Sequence, residues 1–475
     1  MCGRERKPNV SSDQLWKILT EWVYPALLVL FFFGLTIFVH ELGHFLVAKR
    51  RRMKIERFSI GFGPKIFGWT GRDGVDYRVA WLPFGGYVAL PQMAPMEALE
   101  GKSESKTEEL PPASPSSKIM VALAGPLLNV VFAFGLACLV WGVGLPTPVN
   151  PSVIGWVEPG SLEEQSGLRP RDRIVQVNDR PVKTWMEVNR AVAISREPTV
   201  RLVVDRAGER LEFWVEATFD KQIGIKTINL YPQGRPFARA VLPGSPAEQA
   251  GVQAGDKFLA VGAAPVSSAE ELRELTGKCA DQPTPFKVLR AGKILVLTIT
   301  PALDPKEKVG RIGIQLGDEL EYRMTRPGPT PWAQFDDILR MMGDTVYALA
   351  HAKQTGIGAR SSSGPVGIMG GWWYEIIHGG VMRGVWFAVL LNLNLAILNL
   401  LPLPVLDGGH IIFSMIEAAL RRPLPARFVS ALQTGFAALL IGFMLYITFF
   451  DIQRMSFGRL RLGRPVETNA PAAQP

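Results

Sequence analysis

The sequence predicts a polytopic α-helical membrane protein with four spanning helices, a membrane-associated β-sheet and two inserted α+β domains. Three observations lead to this fold class. They are long apolar segments without charge, a glycine-punctuated stretch of alternating aromatic and β-branched residues, and an internal repeat. A chain of 475 residues is also long enough for several structural units rather than one core.

Four apolar segments lack charged residues for long enough to cross about 30 Å of hydrocarbon. We expect each to form a spanning helix. The first is preceded by a charged N-terminus and has no small-residue cleavage site, so we expect it to be retained rather than removed as a signal peptide. The segments are Trp22–Val39, Ile119–Leu145, Gly384–Leu406 and Phe428–Phe450.

The net charge of +9 does not predict a nucleic-acid partner, because the basic residues cluster beside the spans. The cations between Lys49 and Lys54, and those at 421, 422 and 427, suit anionic lipid and a cytoplasmic position. Both termini would then lie outside. Arginines after the fourth span favour the opposite orientation, and this conflict stays open. The three cysteines form neither a disulfide framework nor a cysteine metal cluster.

The segment between the first two spans contains strand-like and loop-like parts. The stretch "FSIGFGPKIFGWTGRDGVDYRVAWLPFGGYVAL" alternates aromatic and β-branched residues with glycine turns, which is typical of short strands in a small sheet. Residues 91–117 are rich in Pro, Ser, Glu and Lys without periodicity, and this composition predicts a mobile loop.

An internal repeat with an offset of 84 residues lies between the second and third spans. Each copy has strand-like runs around one short helical stretch and is the size of a small domain. The matches include Pro159-Gly160-Ser161 with Pro243-Gly244-Ser245, Glu164-Gln165 with Glu248-Gln249, Gly167 with Gly251, Asp172 with Asp256, and Arg206 with Arg290.

On "PGS...SGLRPRD" and "PGSPAEQAGVQAGD", the two copies resemble circularly permuted PDZ domains of bacterial envelope proteases. The resemblance implies that peptide C-termini bind at loops formed by "QIGI" from Gln222 and "RIGI" from Arg311. A role in which the two domains only shield an entrance stays equally open. After the repeats, Pro331 to Ala352 has apolar residues at helical spacing, which predicts an amphipathic helix on a neighbour or on the membrane.

The stretch "FVHELGHFLVAKRRRMK" places His40, Glu41 and His44 inside the first apolar segment. Residues four apart on a helix lie nearly above one another, so both imidazoles can bind one metal ion beside Glu41. Zinc takes such a pair with one further ligand and a water, and Glu41 is then the candidate general base. Ionisable groups at bilayer depth cost at least ~2.5 kcal/mol, which a shared cation relieves. Histidines hydrogen-bonded to other helices are the alternative.

A third ligand is expected in or beside a span, and Asp407 ends the third span in "NLLPLPVLDGGH". Pro402 and Pro404 break the helix. Gly408-Gly409 permits an unusual backbone, so Asp407 can turn toward the metal. A carboxylate exposed to the headgroup region is the alternative reading of this aspartate.

Polar amides in the apolar segments have two candidate roles. Asn392 and Asn394 are expected to form hydrogen bonds across helices. Asn399 and Asn129 each accompany a proline that disrupts the helix near the expected metal depth, so they are candidates for contact with the substrate backbone or an oxyanion. We expect His410 to face lipid or to lie behind the ligands.

From Trp22 to Phe450 the chain resembles the site-2 protease family of intramembrane zinc metalloproteases, and its RseP-like branch with tandem PDZ domains. The resemblance rests on "HELGH", "GFGP", "PFGGYV", "AGPLLN" and "NLLPLPVLDGGH" in this order, with the repeats between spans two and three. It implies zinc binding by His40, His44 and Asp407, with Glu41 as the general base.

The resemblance also implies how substrate is held. Asn399 would help to hold it, and the sheet around "GFGP" and "PFGGYV" would dip into the membrane and pair with it, which makes Gly85 and Gly86 candidates for substrate contact. A helical substrate hides its carbonyls in internal hydrogen bonds, so it must be extended locally before water can attack. Strand pairing supplies replacement partners.

In relatives of this branch, the substrate is a single-span anti-sigma factor already trimmed by another protease, and signal-peptide remnants are also cut. The resemblance therefore implies a multi-pass protein of the bacterial inner membrane in an envelope-stress response. Its PDZ domains and both termini would be periplasmic, and its active site would lie toward the cytoplasm. A non-catalytic PDZ scaffold and a zinc enzyme acting on a lipid or prenylated peptide are the rival functions.

These patterns divide the chain into nine segments. They are the N-terminus with the first span (1–48), the β region and loop (49–117), the second span (118–145), the first PDZ domain (146–226), the second PDZ domain (227–320), a linker with the amphipathic helix (321–383), the third span with LDGGH and a short loop (384–427), the fourth span (428–450) and the tail (451–475).

Overall fold

The computed structural model describes residues 16, 19–93, 111, 113–149, 151–220, 225–290, 292–305, 308–318, 321–358 and 363–463. The chain divides into two compact units. The first comprises Met1–Pro146, Met324–Gly343 and Ser362–Pro475, and the second Thr147–Arg323 and Asp344–Ser361. Most of the loop predicted for 91–117, the first three residues of "QIGI" and the end of the tail lie outside the described residues.

The helices follow a π-helical turn at Leu19–Val23. In chain order they are α1 (Tyr24–Arg50), α2 (Pro115–Val143), α3 (Leu162–Gln165), α4 (Trp185–Ala193), α5 (Pro246–Gln249), α6 (Ala269–Lys278), α7 (Pro331–Ala350), α8 (Ala352–Thr355), α9 (Pro365–Asn399), α10 (Asp407–Leu420) and α11 (Ala426–Gly463).

The strands of the described residues lie between α1 and α7. They are β1 (Arg57–Thr70), β2 (Asp76–Ala89), β3 (Leu145–Val149), β4 (Ile154–Val157), β5 (Arg173–Val177), β6 (Arg180–Pro181), β7 (Thr199–Arg206), β8 (Glu209–Glu216), β9 (Thr218–Asp220), β10 (Ile225–Thr227), β11 (Leu230–Pro232), β12 (Pro236–Val241), β13 (Lys257–Val261), β14 (Ala264–Pro265), β15 (Thr284–Arg290), β16 (Lys293–Ile299), β17 (Ala302–Leu303), β18 (Gly310–Arg311), β19 (Ile314–Asp318) and β20 (Glu321–Thr325).

Within the described residues, four helices are long and apolar enough to cross a membrane, which confirms the predicted number of candidate spans. They are Tyr24–Arg50, Pro115–Val143, Pro365–Asn399 and Ala426–Gln453. The sequence predicted that the proline near Asn129 disrupts the second span. In the structure α2 instead continues through this residue, Pro126. A proline in a helix removes one hydrogen bond, and packing against neighbouring helices tolerates this loss.

The third of these helices is folded back on itself at Gly380, which has a left-handed φ of 75°. Trp372 Nε1 donates to Gly384 O at 2.9 Å, and the Trp372 ring stacks on Phe387 with centroids 5.3 Å apart. In an unbroken helix, positions twelve residues apart would be separated by about 18 Å. The part of α9 before Gly380 therefore packs against the part after it.

Both ends of α9 differ from the predicted span Gly384–Leu406. Its first part, residues 365–383, lies in the segment 321–383 that the sequence predicted as a linker. Two charged residues of this part, Glu375 and Arg383, form an ion pair at 2.6 Å with Arg383 buried. At the other end the helix stops at Asn399, because the prolines of the next seven residues cannot continue it.

The fourth candidate span, α11, is fastened to the beginning of α9 by a buried carboxylate. Asp451 Oδ2 accepts hydrogen bonds from Gly364 N at 2.9 Å and Gly367 N at 2.8 Å. These amides belong to the N-cap residue and the first turn of α9, where helix N–H groups lack partners and negative charge is favourable. The side chain of Asp451 thus caps a helix other than its own.

The sheet predicted between the first two spans consists of two long strands, not several short ones. Both strands bend, so residues 57–60 pair with 86–89 on one side and with 76–79 on the other, while 67–70 pair with 76–79. The result is a sheet of four short segments made from only two strands.

The predicted amphipathic helix is α7, and its first half packs within the first unit. Phe335, Ile338 and Met342 join a hydrophobic cluster with Ala133 of α2 and Val389 of α9. Of the two placements considered from the sequence, packing against neighbouring helices accounts for this apolar face.

The second unit contains two similar α+β domains that correspond to the repeat. In the first, an antiparallel sheet in the order β6-β5-β7-β8 is covered by α4. In the second, the order is β16-β15-β13-β12-β19, and α6 packs beside it. Both α4 and α6 were missed from the sequence. Their signal was a Ser or Thr cap followed three residues later by Glu, at Thr184 and Ser268.

The repeated residues do the same work in both domains. Asp172 accepts hydrogen bonds from Arg206, and Asp256 accepts them from Arg290, all at 2.6–2.7 Å. Each arginine also donates to the carbonyl of the matching glycine, Gly167 or Gly251. The repeat therefore preserves a clamp that fixes the loop after each short helix.

Candidate metal centre

One face of α1 carries His40, Glu41 and His44, and all three side chains are buried. The Nε2 atoms of His40 and His44 are 3.2 Å apart. This closeness follows from helical geometry, since residues four apart stand one turn above each other. The two imidazoles therefore point into the same space.

Asp407, at the start of α10, brings a carboxylate to this space from a distant part of the chain. Its Oδ2 is 3.3 Å from His40 Nε2, and its Oδ1 is 3.5 Å from His44 Nε2. A carboxylate is favourable here because the N-terminus of a helix is the positive end of its dipole. The structure thus brings together the three residues predicted as ligands. One ligand atom from each lies within 4.8 Å of the other two.

The two glycines after Asp407 have a different use from the one expected. Both lie inside α10, and neither has a positive φ. A Cβ at Gly408 would collide with Leu401 O, and one at Gly409 with Leu403 O. The glycines therefore let residues 400–406 pack tightly beneath the first turn of α10, which fixes where Asp407 points.

These residues fit a zinc ion. A tetrahedral ion with bonds of about 2.0–2.1 Å holds its ligand atoms about 3.3 Å apart, which is the spacing of the three side chains. Asp407 Oδ2 is buried and makes no hydrogen bond to a described residue. A buried carboxylate oxygen without a partner is unfavourable unless a cation is close. Two imidazoles and one carboxylate also form a common catalytic zinc set that leaves a position for water.

The orientation of His44 is fixed by α2. Its Nδ1 lies 2.8 Å from Val121 O. A carbonyl oxygen can only accept, so Nδ1 carries the proton and Nε2 presents its lone pair to the space shared with Asp407. The backbone of α2 therefore selects the tautomer of His44 that binds a metal.

The approach of α2 depends on Gly125 in "AGPLLN". A Cβ at this position would collide with His44 Nε2 and would lie 2.9 Å from His40 Cε1. No other residue fits without moving both rings. This role was not predicted, although the motif that contains Gly125 was recognised.

Two asparagines predicted near the metal lie beside His40. Asn129 Nδ2 is 3.3 Å from His40 Nδ1, and Asn399 Nδ2 is 3.3 Å from His40 Nε2. Asn399 is half-buried, whereas Asn129 has no exposed surface. The two amides therefore approach opposite nitrogens of one ring.

Glu41 lies beneath strand β2. A Cβ at Gly86 would be 2.9 Å from both Glu41 Cγ and Ile37 Cγ2, so only glycine lets the strand pass this close to α1. Gly85 has a φ of 126°, and a Cβ there would instead collide with the ring of Phe62. Of the two glycines predicted to contact substrate, Gly86 is the one beside Glu41.

The remaining polar residues support the helix packing. Asn392 Nδ2 donates to Thr36 Oγ1 at 2.9 Å, which is the cross-helix bond expected of it. For Asn394 the described residues provide no such partner. His410 is buried, so it does not face lipid. An ion pair at 2.8 Å between Lys118 of α2 and Glu417 of α10 was not foreseen.

Comparison with known proteins finds matches over most of the chain. A family model described as peptidase family M50 matches residues 28–443. "Regulator of sigma-E protease RseP" of Salmonella typhimurium is 30% identical over 447 residues, covering 88% of this chain and 96% of the relative. "Protease RseP" of Yersinia pestis is 31% identical over 446 residues, with coverage of 88% and 96%. A "Putative zinc metalloprotease" of Vibrio cholerae is 29% identical over 461 residues, with coverage of 89% and 97%.

Proposed function

Because the chain belongs to peptidase family M50 and is a zinc metalloprotease of the site-2 type, we propose that it hydrolyses a peptide bond inside the transmembrane segment of single-span proteins. The observation that carries the proposal is that Asp407 of α10 meets His40 and His44, which lie with Glu41 in the apolar helix α1. A peptidase that cuts soluble substrates would not need its site at bilayer depth, where each ionisable group is energetically costly.

In this proposal His40 Nε2, His44 Nε2 and an oxygen of Asp407 hold the zinc. When bound, zinc polarises a carbonyl and lowers the pKa of a coordinated water to roughly 7. Glu41 is the general base. One carboxylate oxygen of Glu41 takes the proton from the attacking water, holds it, and gives it to the amide nitrogen as the peptide bond breaks.

The substrate strand is proposed to lie along β2. Residues 86–89 form an outer segment of the sheet, and Gly86 lies directly beside Glu41. An extended peptide can add to such an edge, because the edge supplies the backbone partners lost when its helix unwinds. Asn399, half-buried beside His40, can hold a substrate carbonyl there with its amide N–H.

Exposed side chains of the same sheet suit a position in the membrane. Phe67, Trp69 and Trp81 are each more than half exposed, although they are large and apolar. Such side chains on one small sheet are typical of a surface in contact with lipid. We infer that the lipid bilayer covers them.

The two α+β domains of the second unit are proposed to be PDZ domains. β19, which follows the "RIGI" loop, is an end strand of its sheet and can accept a peptide. This end strand suits the capture of peptide C-termini, one of the two uses inferred from the sequence. The other use is the exclusion of bulky proteins. Size exclusion predicts that trimming a substrate outside the membrane speeds its cleavage even when the new C-terminus is amidated.

We propose that the protein lies in the inner membrane of a bacterium, with both termini and the α+β domains in the periplasm. The Salmonella and Yersinia relatives are named as proteases that regulate sigma E or as RseP. An anti-sigma factor trimmed by another protease is therefore the proposed substrate, with signal-peptide remnants as a second one, and cleavage would start an envelope-stress response.

The test uses purified full-length protein and a single-span model substrate. Wild type is expected to contain one zinc per chain and to cut inside the span. Glu41→Gln is expected to keep the zinc and to lose at least about a hundredfold in rate, and Asp407→Ala is expected to lose both. Glu163→Gln, which changes an equally buried glutamate of the second unit, is the matched control and is expected to cut normally.

Two outcomes would count against the proposal. A wild-type protein without zinc would remove the metal site, and cleavage that persists in Glu41→Gln would remove the general base. Binding of partners that is unchanged by Glu41→Gln, in a protein that never cuts, would favour the rival reading as a PDZ scaffold.

A further inference from the structure

The pattern of hydrogen bonds around His40 is incomplete. Asn129 Nδ2 faces His40 Nδ1 at 3.3 Å, while Asn129 Oδ1 is buried and has no partner among the described residues. If Nδ2 donates to Nδ1, the ring proton must be on Nε2, and that nitrogen cannot bind zinc.

We propose that Asn129 is a positioning residue, whose amide oxygen accepts the Nδ1–H of His40 and so keeps His40 in the tautomer that binds zinc. A half-turn of the amide group exchanges its oxygen and nitrogen without moving any other atom. Oδ1 then gains a donor, and Nε2 of His40 points its lone pair at Asp407. The proposal rests on the zinc site of the proposed function and extends it by one residue.

A role in substrate contact, as the sequence suggested for Asn129, has less support. The side chain has no exposed surface, and its polar end lies against His40. Asn399 reaches the other side of the same ring and is half-buried. The two asparagines therefore have different positions. Asn399 faces the space between His40 and Asp407, and Asn129 lies behind the His40 ring.

The position of Asn129 belongs to a pattern on α2. Lys118, Val121, Gly125 and Asn129 follow one another at intervals of three or four residues, so they lie on one face of the helix. Lys118 pairs with Glu417 of α10, Val121 O orients His44, and Gly125 makes room for both rings. One helix that supplies no ligand therefore positions both histidines and the helix that carries Asp407.

The experiment measures zinc affinity of the full-length protein by competition with a chelator, together with the visible spectrum after cobalt replaces zinc. Asn129→Leu keeps the size but removes the acceptor, and it is expected to raise the zinc dissociation constant 10–100-fold. Asn129→Asp keeps an acceptor at the same place, and it is expected to bind zinc within about threefold of wild type with the wild-type cobalt spectrum.

Asn392→Leu is the matched control. It removes a buried asparagine whose amide donates to Thr36 Oγ1 and Ala388 O and makes no hydrogen bond to a proposed metal ligand. It is expected to leave the zinc dissociation constant unchanged even where it lowers the melting temperature. A purely structural role for Asn129 would make Asn129→Leu and Asn392→Leu behave alike.

The proposal is overturned if Asn129→Leu binds zinc as tightly as wild type. It is also overturned if folded Asn129→Asp is as weak as Asn129→Leu, because the acceptor would then be irrelevant. Should Asn129→Leu not fold, a folded Asn129→Asp variant that binds zinc outside the threefold range of wild type still overturns the proposal. Absence of zinc in the wild type would instead refute the proposed function, so the two failures are distinguishable.

Discussion

At the scale of single residues, the metal site depends on residues that provide neither a ligand atom nor a catalytic group. Gly125 is the clearest case, because the space left by its missing Cβ is filled by the imidazoles of His40 and His44. Any larger residue would push the rings away from Asp407. Metal binding by this chain is therefore sensitive to volume on the α2 side as well as to the ligands themselves.

Gly125→Ala is expected to lower zinc affinity at least tenfold, because the added methyl group displaces both imidazole rings. Chelator competition on the purified protein measures this effect. Gly135→Ala is the control, since a Cβ there meets no atom within 4 Å and alanine suits a helix better than glycine. Equal zinc affinity in the two variants would show that the rings tolerate the methyl group.

The ligands could be predicted from the sequence, but their supports could not. His40 and His44 were readable because their spacing matches one helical turn, and Asp407 because prolines precede it. The role of Gly125 and the carbonyl of Val121 depends on how close two helices come, which no periodicity encodes. Asn129 was noticed as a polar residue in an apolar helix, while its partner became visible only when α1 and α2 were placed side by side.

At the scale of elements, the sequence predicts helices better than their breaks. The apolar segments gave the number of candidate spans, since a long uncharged run has few alternatives. The fold-back of α9 at Gly380 was missed, because the sequence placed residues 321–383 in a linker and the uncharged run began only at Gly384. Glu375 and Arg383 lie on the two sides of this break. In the structure they neutralise each other at 2.6 Å across the break.

The clamp between Asp256 and Arg290 predicts that the stability of the second α+β domain depends on pH. Burial favours the neutral form of Asp256, but hydrogen bonds from Arg290 and the backbone of Gln253 outweigh it, so the pKa of Asp256 is lowered from its ordinary value of 3.8. A lowered pKa in the folded state means that the clamp stabilises the domain above about pH 4. This contribution is lost as the pH falls through the folded pKa.

Asp256→Asn is expected to destabilise the second α+β domain by about 2 kcal/mol at pH 7, because a charged hydrogen-bond pair is lost. The difference from wild type is expected to shrink below pH 4. Hydrogen exchange of the full-length protein across β13 and β15 measures both effects. Asp179→Asn, which alters a fully exposed carboxylate near Arg201, is expected to change neither. A difference that stays constant down to pH 2.5 would contradict the assigned role of the carboxylate.

At the scale of the whole molecule, the distribution of cations decides which side of the membrane each part occupies. Basic residues follow α1 directly at Lys49, Arg50, Arg51 and Arg52, and this cluster favours the cytoplasm. The arginines at the end of α11 favour a cytoplasmic position for the C-terminal end of the chain. Three spans separate the two clusters, so the clusters lie on opposite sides of the membrane and only one of them can be cytoplasmic. The first cluster is denser and directly adjoins a span, so we expect it to dominate.

This orientation can be tested with the cysteines of the chain. Cys2→Ser combined with Cys138→Ala leaves Cys279, a half-buried thiol of the second α+β domain, as the reporter. A membrane-impermeant maleimide added to spheroplasts is expected to label it. When Cys279→Ser and Arg50→Cys are added, labelling is expected only after the membrane is opened, because residue 50 ends α1 in the basic cluster. The reverse labelling pattern would mean that the C-terminal arginines set the topology. The α+β domains would then face the cytoplasm. There they could not screen substrates that are trimmed in the periplasm.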